Sequence, residues 1–229
     1  MEAEALSWQF DEVAHAGREH LDADYVAAYD TKSPTDWSED VEVLLELGVG
    51  QTSTVVDLGA GTGTFARAIA PLVARVVAVD VSEPMVAAMR ARGLEAVCAG
   101  LLSYEHEGDP PDAVFTRNAL HHLSDFWKVV SLERIGRLLR PGGALRLRDL
   151  IYSFEPQDVD EAITSWLSAA PTDRAKGWTA AELAEHVRDE HSTFTWLLEP
   201  MLQRAGFIVH DRWLSPDRMY AAYTCIRRT

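Results

Sequence analysis

The chain has 229 residues, 47% of them hydrophobic and 25% charged, which suits one large α/β domain with additions and is too short for two domains of ordinary size. A formal net charge of −15 repels phosphate backbones and leaves no basic stripe to follow one, which argues against a nucleic-acid substrate. Residues 1–10 carry Glu2 and Glu4 and lack the basic and apolar regions of a secretory signal, and no apolar run nears the ~20 residues of a membrane span. The expectation is a cytoplasmic protein that does not act at a membrane.

Residues 1–51 fit no sheet position and read as helical. From Thr54 onward, β-branched apolar runs alternate with helical patterns, as expected of a parallel sheet covered on both faces. Strands are expected at 54–58, 75–81, 94–99, 112–116 and 144–151. Ser82 is placed to cap the helix after the second strand, with Pro84 in its first turn and Gly93 at its stop. Ser124 is placed to cap a helix whose Val129, Leu132, Ile135 and Leu139 form an apolar stripe, read as core packing and ended by Pro141-Gly142-Gly143. Residues 152–194, rich in Trp, Glu, Asp and His, again fit no sheet position. A helix at 195–205, a stop at Gly206, and strands at 207–214 and 218–226 around Ser215-Pro216-Asp217 predict an antiparallel hairpin that closes the sheet.

Ligands of α/β sheets bind outside the carboxyl ends of the strands, so the two extra segments are expected to form lids there. The whole is one domain: a helical lid (1–51), a core (52–151), a substrate cap inserted after the fifth strand (152–194), and a terminal helix and hairpin (195–229). Cys98 and Cys225 are expected as separate reduced thiols.

The first strand runs into Asp57-Leu58-Gly59-Ala60-Gly61-Thr62-Gly63. Glycines there let the backbone turn sharply and approach a ligand, and a helix N-terminus offers free N–H groups. Asp57, just before the glycines, would oppose a pyrophosphate but suits an ammonium group. Asp80, ending the second strand, is placed to accept both hydroxyls of a ribose. An amine and a ribose on one ligand are what these residues ask for.

With Val79-Asp80-Val81-Ser82-Glu83-Pro84-Met85, Arg117-Asn118-Ala119-Leu120-His121-His122-Leu123 and Leu139-Arg140-Pro141-Gly142-Gly143 following in order, residues 54–143 resemble the core of class I S-adenosylmethionine (SAM)-dependent methyltransferases acting on small molecules. The resemblance implies a doubly wound seven-stranded Rossmann-like sheet of order 3-2-1-4-5-7-6 with the last strand antiparallel. It implies that Gly59, Ala60 and Gly61 pass under the methionine part of SAM and that Asp57 meets its amine. Asp80 would hold the ribose, Val81 and Met85 would sandwich the adenine, and Asn118 would lie beside the methionine moiety. Many relatives have Gly-Asp after the third strand, whereas Gly100 is followed here by Leu101 and Leu102, so backbone groups or apolar contact would recognise the adenine. The reaction would be in-line displacement of the sulfonium methyl by an O, N or C nucleophile, leaving S-adenosylhomocysteine (SAH).

His121 and His122 fall where an acceptor would sit and are candidate bases; structural roles for both stay open. Tyr25, Tyr29, Arg148 and Trp166 are candidates for contact with the acceptor, with core packing or mutual pairing as alternatives. Asp149 beside Arg148 either faces the pocket or pairs with its neighbour. The His186–His191 cluster reads as a solvated helix or lid contact, and no metal site is expected. Monomer and homodimer are both open. A nicotinamide-dependent oxidoreductase is disfavoured because the turn lacks Gly-x-Gly-x-x-Gly, and a non-catalytic SAM-binding module is the remaining alternative.

Overall fold

A computed structural model describes residues 8–17, 22, 26, 29–30 and 35–229, with the side chain of Ala175 excepted. Five parallel strands, β1 (Thr54–Leu58), β2 (Arg75–Asp80), β3 (Glu95–Cys98), β4 (Ala113–Arg117) and β5 (Ala144–Tyr152), continue through an antiparallel hairpin, β7 (Phe207–Leu214) and β8 (Tyr220–Arg227). The order is β3-β2-β1-β4-β5-β8-β7, the expected one. A two-residue strand, β6 (Thr193–Phe194), also pairs with the end of β5; two residues are too short to read from a pattern.

Strand alternation builds the two cores. Val56, Leu58, Val77, Val79, Val114, Leu145 and Leu147 meet Leu132 and Ile135 of α4 (Asp125–Leu138) and Leu198 and Leu202 of α7 (Thr195–Arg204). On the other face Val55, Val76, Ala78, Ala113 and Phe115 meet Leu44 of α1 (Ser38–Glu46), Phe65, Ala66 and Ile69 of α2 (Thr64–Ile69), and Val86 and Met89 of α3 (Glu83–Ala91). The insertion forms α5 (Val159–Ala169) and α6 (Ala180–Asp189). A third cluster, Leu150, Tyr152, Phe154, Ala162, Trp166 and Met219, seats α5 on the carboxyl end of β5.

The Ser82 hydroxyl caps α3, accepting from the Met85 N–H at 3.3 Å, and Gly93 follows the helix with φ +79°. Ser124 departs from expectation. It precedes α4, yet its side chain makes no capping bond; its backbone carbonyl accepts from the Lys128 N–H instead. Cys98 and Cys225 are free. Among the described residues no helix is long and apolar enough to cross a membrane.

Candidate active site

The order reverses between β1 and β4, and the crevice this leaves at the carboxyl ends is where doubly wound sheets bind ligands. A cavity opens there, lined by Gly59, Gly61, Asp80, Val81, Met85, Gly100, Leu101, Asn118 and His122, among others. At Gly59 φ is +74°, and an added Cβ would overlap the Ala119 methyl, so glycine is required. Gly61 differs: a Cβ there would meet only the Tyr29 ring, 3.8 Å away, so its backbone faces open space.

Two carboxylates sit beneath this turn. Asp80 accepts from the Gly61 N–H at 2.8 Å and the Ser82 N–H at 2.9 Å. Burial still raises its pKa, against these bonds. Asp57 is buried with Oδ2 lacking any partner. Burial, with repulsion from Asp80, pushes it up to about 8. A buried carboxylate oxygen just before the glycine turn, short of a donor, fits a ligand that brings an ammonium group.

The N-terminal segment closes the cavity through Phe10, Glu12, His15, Ala16 and Tyr29. Glu12 went unnoticed in the sequence. Its carboxylate lies against Gly100, two residues past β3, where a side chain on that residue would point, accepting from the Leu102 N–H at 2.9 Å and the Ser103 hydroxyl at 2.8 Å. A contact across 90 positions leaves no local signature. Asp30 holds the segment a second time, bonding the Thr62 hydroxyl and pairing with Arg92 at 2.7 Å. Of the expected cofactor residues, Asp57, Ala60 and Leu102 are not among those lining the cavity; Asp57 lies buried behind the glycine turn, and the Leu102 N–H is already taken by Glu12.

Beyond Asn118, which takes a left-handed φ of +51°, lie the histidines. His122 lines the cavity, and its Nδ1 is 3.1 Å from Glu190 Oε2. His121 is buried behind it, the ring centroids 4.3 Å apart, with Nδ1 2.5 Å from Asp149. Burial opposes its charging, but the Asp149 charge and hydrogen bond outweigh this and raise its pKa. Asp149 is held low in return. His186 packs on His121 from α6; burial, then the His121 charge, bring it down to about 4. One ligand atom each from His121, His122 and Glu190 lie within 4.8 Å of one another, a spacing a metal ion could use. The 186–191 cluster is therefore not simply solvated: His186 and Glu190 close over the histidine pair.

The acceptor candidates separate. Tyr29 lines the first cavity. Arg148 lines a second, with Arg117, Asn118, Asp149, Trp213, Tyr220 and Ala221. Arg148 and Asp149 do not pair with each other: Arg148 bonds Glu39 and Asp40, and Asp149 bonds His121. Trp166 lies in the cluster under α5 and is not among the residues lining either cavity. Tyr25 lies outside the described residues.

Known proteins agree with this architecture. Residues 55–143 match a family model described as a methyltransferase domain. An uncharacterized methyltransferase of Mycobacterium tuberculosis is 29% identical over 168 residues, 65% of this chain and 81% of that protein. Magnesium protoporphyrin IX methyltransferase from Synechocystis PCC 6803, solved with bound SAM, superposes with a TM-score of 0.65 at 13% identity, over 96% of this chain and 99% of that one. A putative methyltransferase in complex with the Haloferax volcanii Trm112 methyltransferase activator gives a TM-score of 0.65 at 19% identity, over 94% and 95%. A methyltransferase domain is thus matched across the strands that make the crevice, and the Mycobacterium methyltransferase aligns along most of its own length, so the activity these residues point to is that of a SAM-dependent methyltransferase.

Proposed function

We propose that the protein transfers the methyl group of SAM to an O, N or C atom of a small-molecule acceptor, with the cofactor in the first cavity. The orphaned Asp57 oxygen beside the glycine turn carries this reading. Asp57 receives the ammonium group, the backbone of Gly59, Ala60 and Gly61 runs under the methionine part, and Asn118 lies alongside. Asp80 takes the ribose hydroxyls with the lone pairs its backbone bonds leave free. Val81, Met85 and Leu101 enclose the adenine, and Leu102 contributes through the loop that Glu12 holds, with the Glu12 carboxylate positioned to meet the adenine amino group. SAM supplies an activated methyl on a sulfonium leaving group, so the chain's own share is to bind, orient and exclude water.

A small acceptor suits two adjoining clefts at the carboxyl edge of the sheet in a chain of strongly negative charge, which also disfavours nucleic acid. Where the nucleophile must lose a proton, His122 is the proton acceptor, oriented through Nδ1 by Glu190; His121, with a raised pKa, supports it from behind. Tyr29 roofs the reacting groups, Arg148 meets the acceptor, and Trp166 acts through the cap formed by 152–194. Calorimetric titration of SAM and SAH tests the reading. Wild type should bind both, and Asp80→Ala, losing two hydroxyl contacts and the turn's anchor, should lose about 3 kcal/mol, roughly 100-fold. Wild type that binds neither would refute the assignment.

A further inference from the structure

Arg117 and Arg148 are register partners on β4 and β5, so two guanidinium groups leave one face of the sheet side by side at its carboxyl edge. Like charges on facing positions of neighbouring strands weaken a sheet. The carboxylates around them do not cancel the cost. Arg146 takes Asp40 Oδ1 at 2.8 Å, and Arg148 takes Asp40 Oδ2 at 3.2 Å and Glu39 Oε2 at 3.1 Å. For Arg117, the ion-pair contact among the described residues is Asp40 Oδ2, 3.9 Å away. Three arginines thus share two carboxylates, leaving a positive surplus in a chain whose net charge is −15. An arrangement that costs stability and lies against a cavity is expected where it serves a ligand.

Each fork is also held in place. The Arg117 guanidinium carbon lies 5.0 Å from the centre of the Trp37 ring, and that of Arg148 lies 5.2 Å from the centre of the Trp213 ring, which orients a planar group for bidentate contact with an oxyanion. Asp149 shares the cavity wall, but it is engaged: its oxygens accept from the Leu120 and Leu150 N–H groups and pair with His121. Arg117 and Asn118 line both cavities, so the second opens beside the first.

We propose that the second cavity is the acceptor pocket and that the acceptor is anionic, its carboxylate or phosphate held between Arg117 and Arg148 and its apolar body packed on Trp213 and Tyr220. This rests on the methyl-transfer reading above, since it takes the first cavity as the site of the cofactor. The anion relieves the repulsion between the two guanidinium groups, and its distance from the crevice sets which acceptor atom reaches the methyl.

The test uses the full chain saturated with SAH and titrated with benzoate, its neutral isostere benzamide, and phenyl phosphate. At least one anion should bind about tenfold or more tightly than the neutral amide, and Arg148→Met should erase that preference while binding SAH as wild type does. Preference for phenyl phosphate over benzoate, or the reverse, identifies the natural anion. Equal binding of all three, or binding of none by protein that binds SAH, overturns the proposal. If SAH itself does not bind, the methyl-transfer reading falls first and takes this one with it. Should Arg148→Met fail to fold, Arg117→Met, whose ion pair is the long one, makes the same anion-against-amide comparison at SAH saturation set from its own SAH affinity, since Arg117 also lines the first cavity.

Discussion

The two halves of the crevice are built by different means. Over β1, β2 and β3 the proposed cofactor half comes from short consecutive stretches, 57–63 and 80–85, in which backbone turns and two carboxylates sit next to each other in the chain. Over β4, β5 and β8 the proposed acceptor half is a mosaic of side chains: His122 is paired with Glu190, 68 positions away, and Arg148 with Asp40, 108 positions away. The first design fixes one unchanging ligand through backbone geometry. The second can be altered one side chain at a time without disturbing the sheet, which is how one fold serves many acceptors.

The comparison breaks most visibly at Gly59. An alanine there must hold a positive φ and push its methyl into Ala119, at a combined cost of about 3 kcal/mol, or a fall in melting temperature of roughly 6–12 °C in a chain of this length. SAH binding should vanish with it. A Gly59→Ala protein with wild-type melting and binding would show that the turn is not the rigid element described here.

Asp57 gives the next effect. Its folded pKa of about 8 stands above the ordinary carboxyl value of 3.8, so its bound proton contributes stability that is complete below about pH 4 and is lost as pH rises through about 8. A ligand ammonium reverses the preference and favours the carboxylate. At pH 7, SAH binding should therefore expel up to about one proton, read as a binding enthalpy that changes with the ionisation enthalpy of the buffer, and Asp57→Asn should abolish the dependence. Wild type showing no such dependence would remove Asp57 from the ammonium site.

What the sequence made legible follows the same division. Strand alternation, the Ser82 cap and the glycine turn are local, and the strand order follows expectation. Ser124 shows the limit even there: the residue type and position suit a cap, but the bond depends on a rotamer that sequence does not specify. The acceptor half was only half visible. Arg148 and the histidines could be singled out at strand ends, yet Arg117 gained meaning only when register set it beside Arg148, and Asp149 proved to serve His121 and not its neighbour. Trp166, open between acceptor contact and core packing, packs from α5 into the cluster with Leu150, Tyr152 and Phe154, since burial in a satellite core and burial against a ligand select the same side chain.

Glu12 sharpens the comparison because it crosses it, a distant side chain serving the half otherwise made of local backbone. Its oxygens already hold the Leu102 N–H and the Ser103 hydroxyl, and each retains a lone pair for an adenine amino group. Glu12→Gln keeps the shape, removes the charge and exchanges one acceptor oxygen for a donor. SAH affinity should fall about tenfold, the worth of one hydrogen bond to a charged group, and S-inosylhomocysteine, which carries an oxo group in place of the amino group, should bind the variant nearly as well as SAH. Were Glu12 only a tie for the N-terminal segment, the variant would weaken both ligands equally, so the ratio of the two affinities, and not either alone, decides whether this carboxylate reads the base.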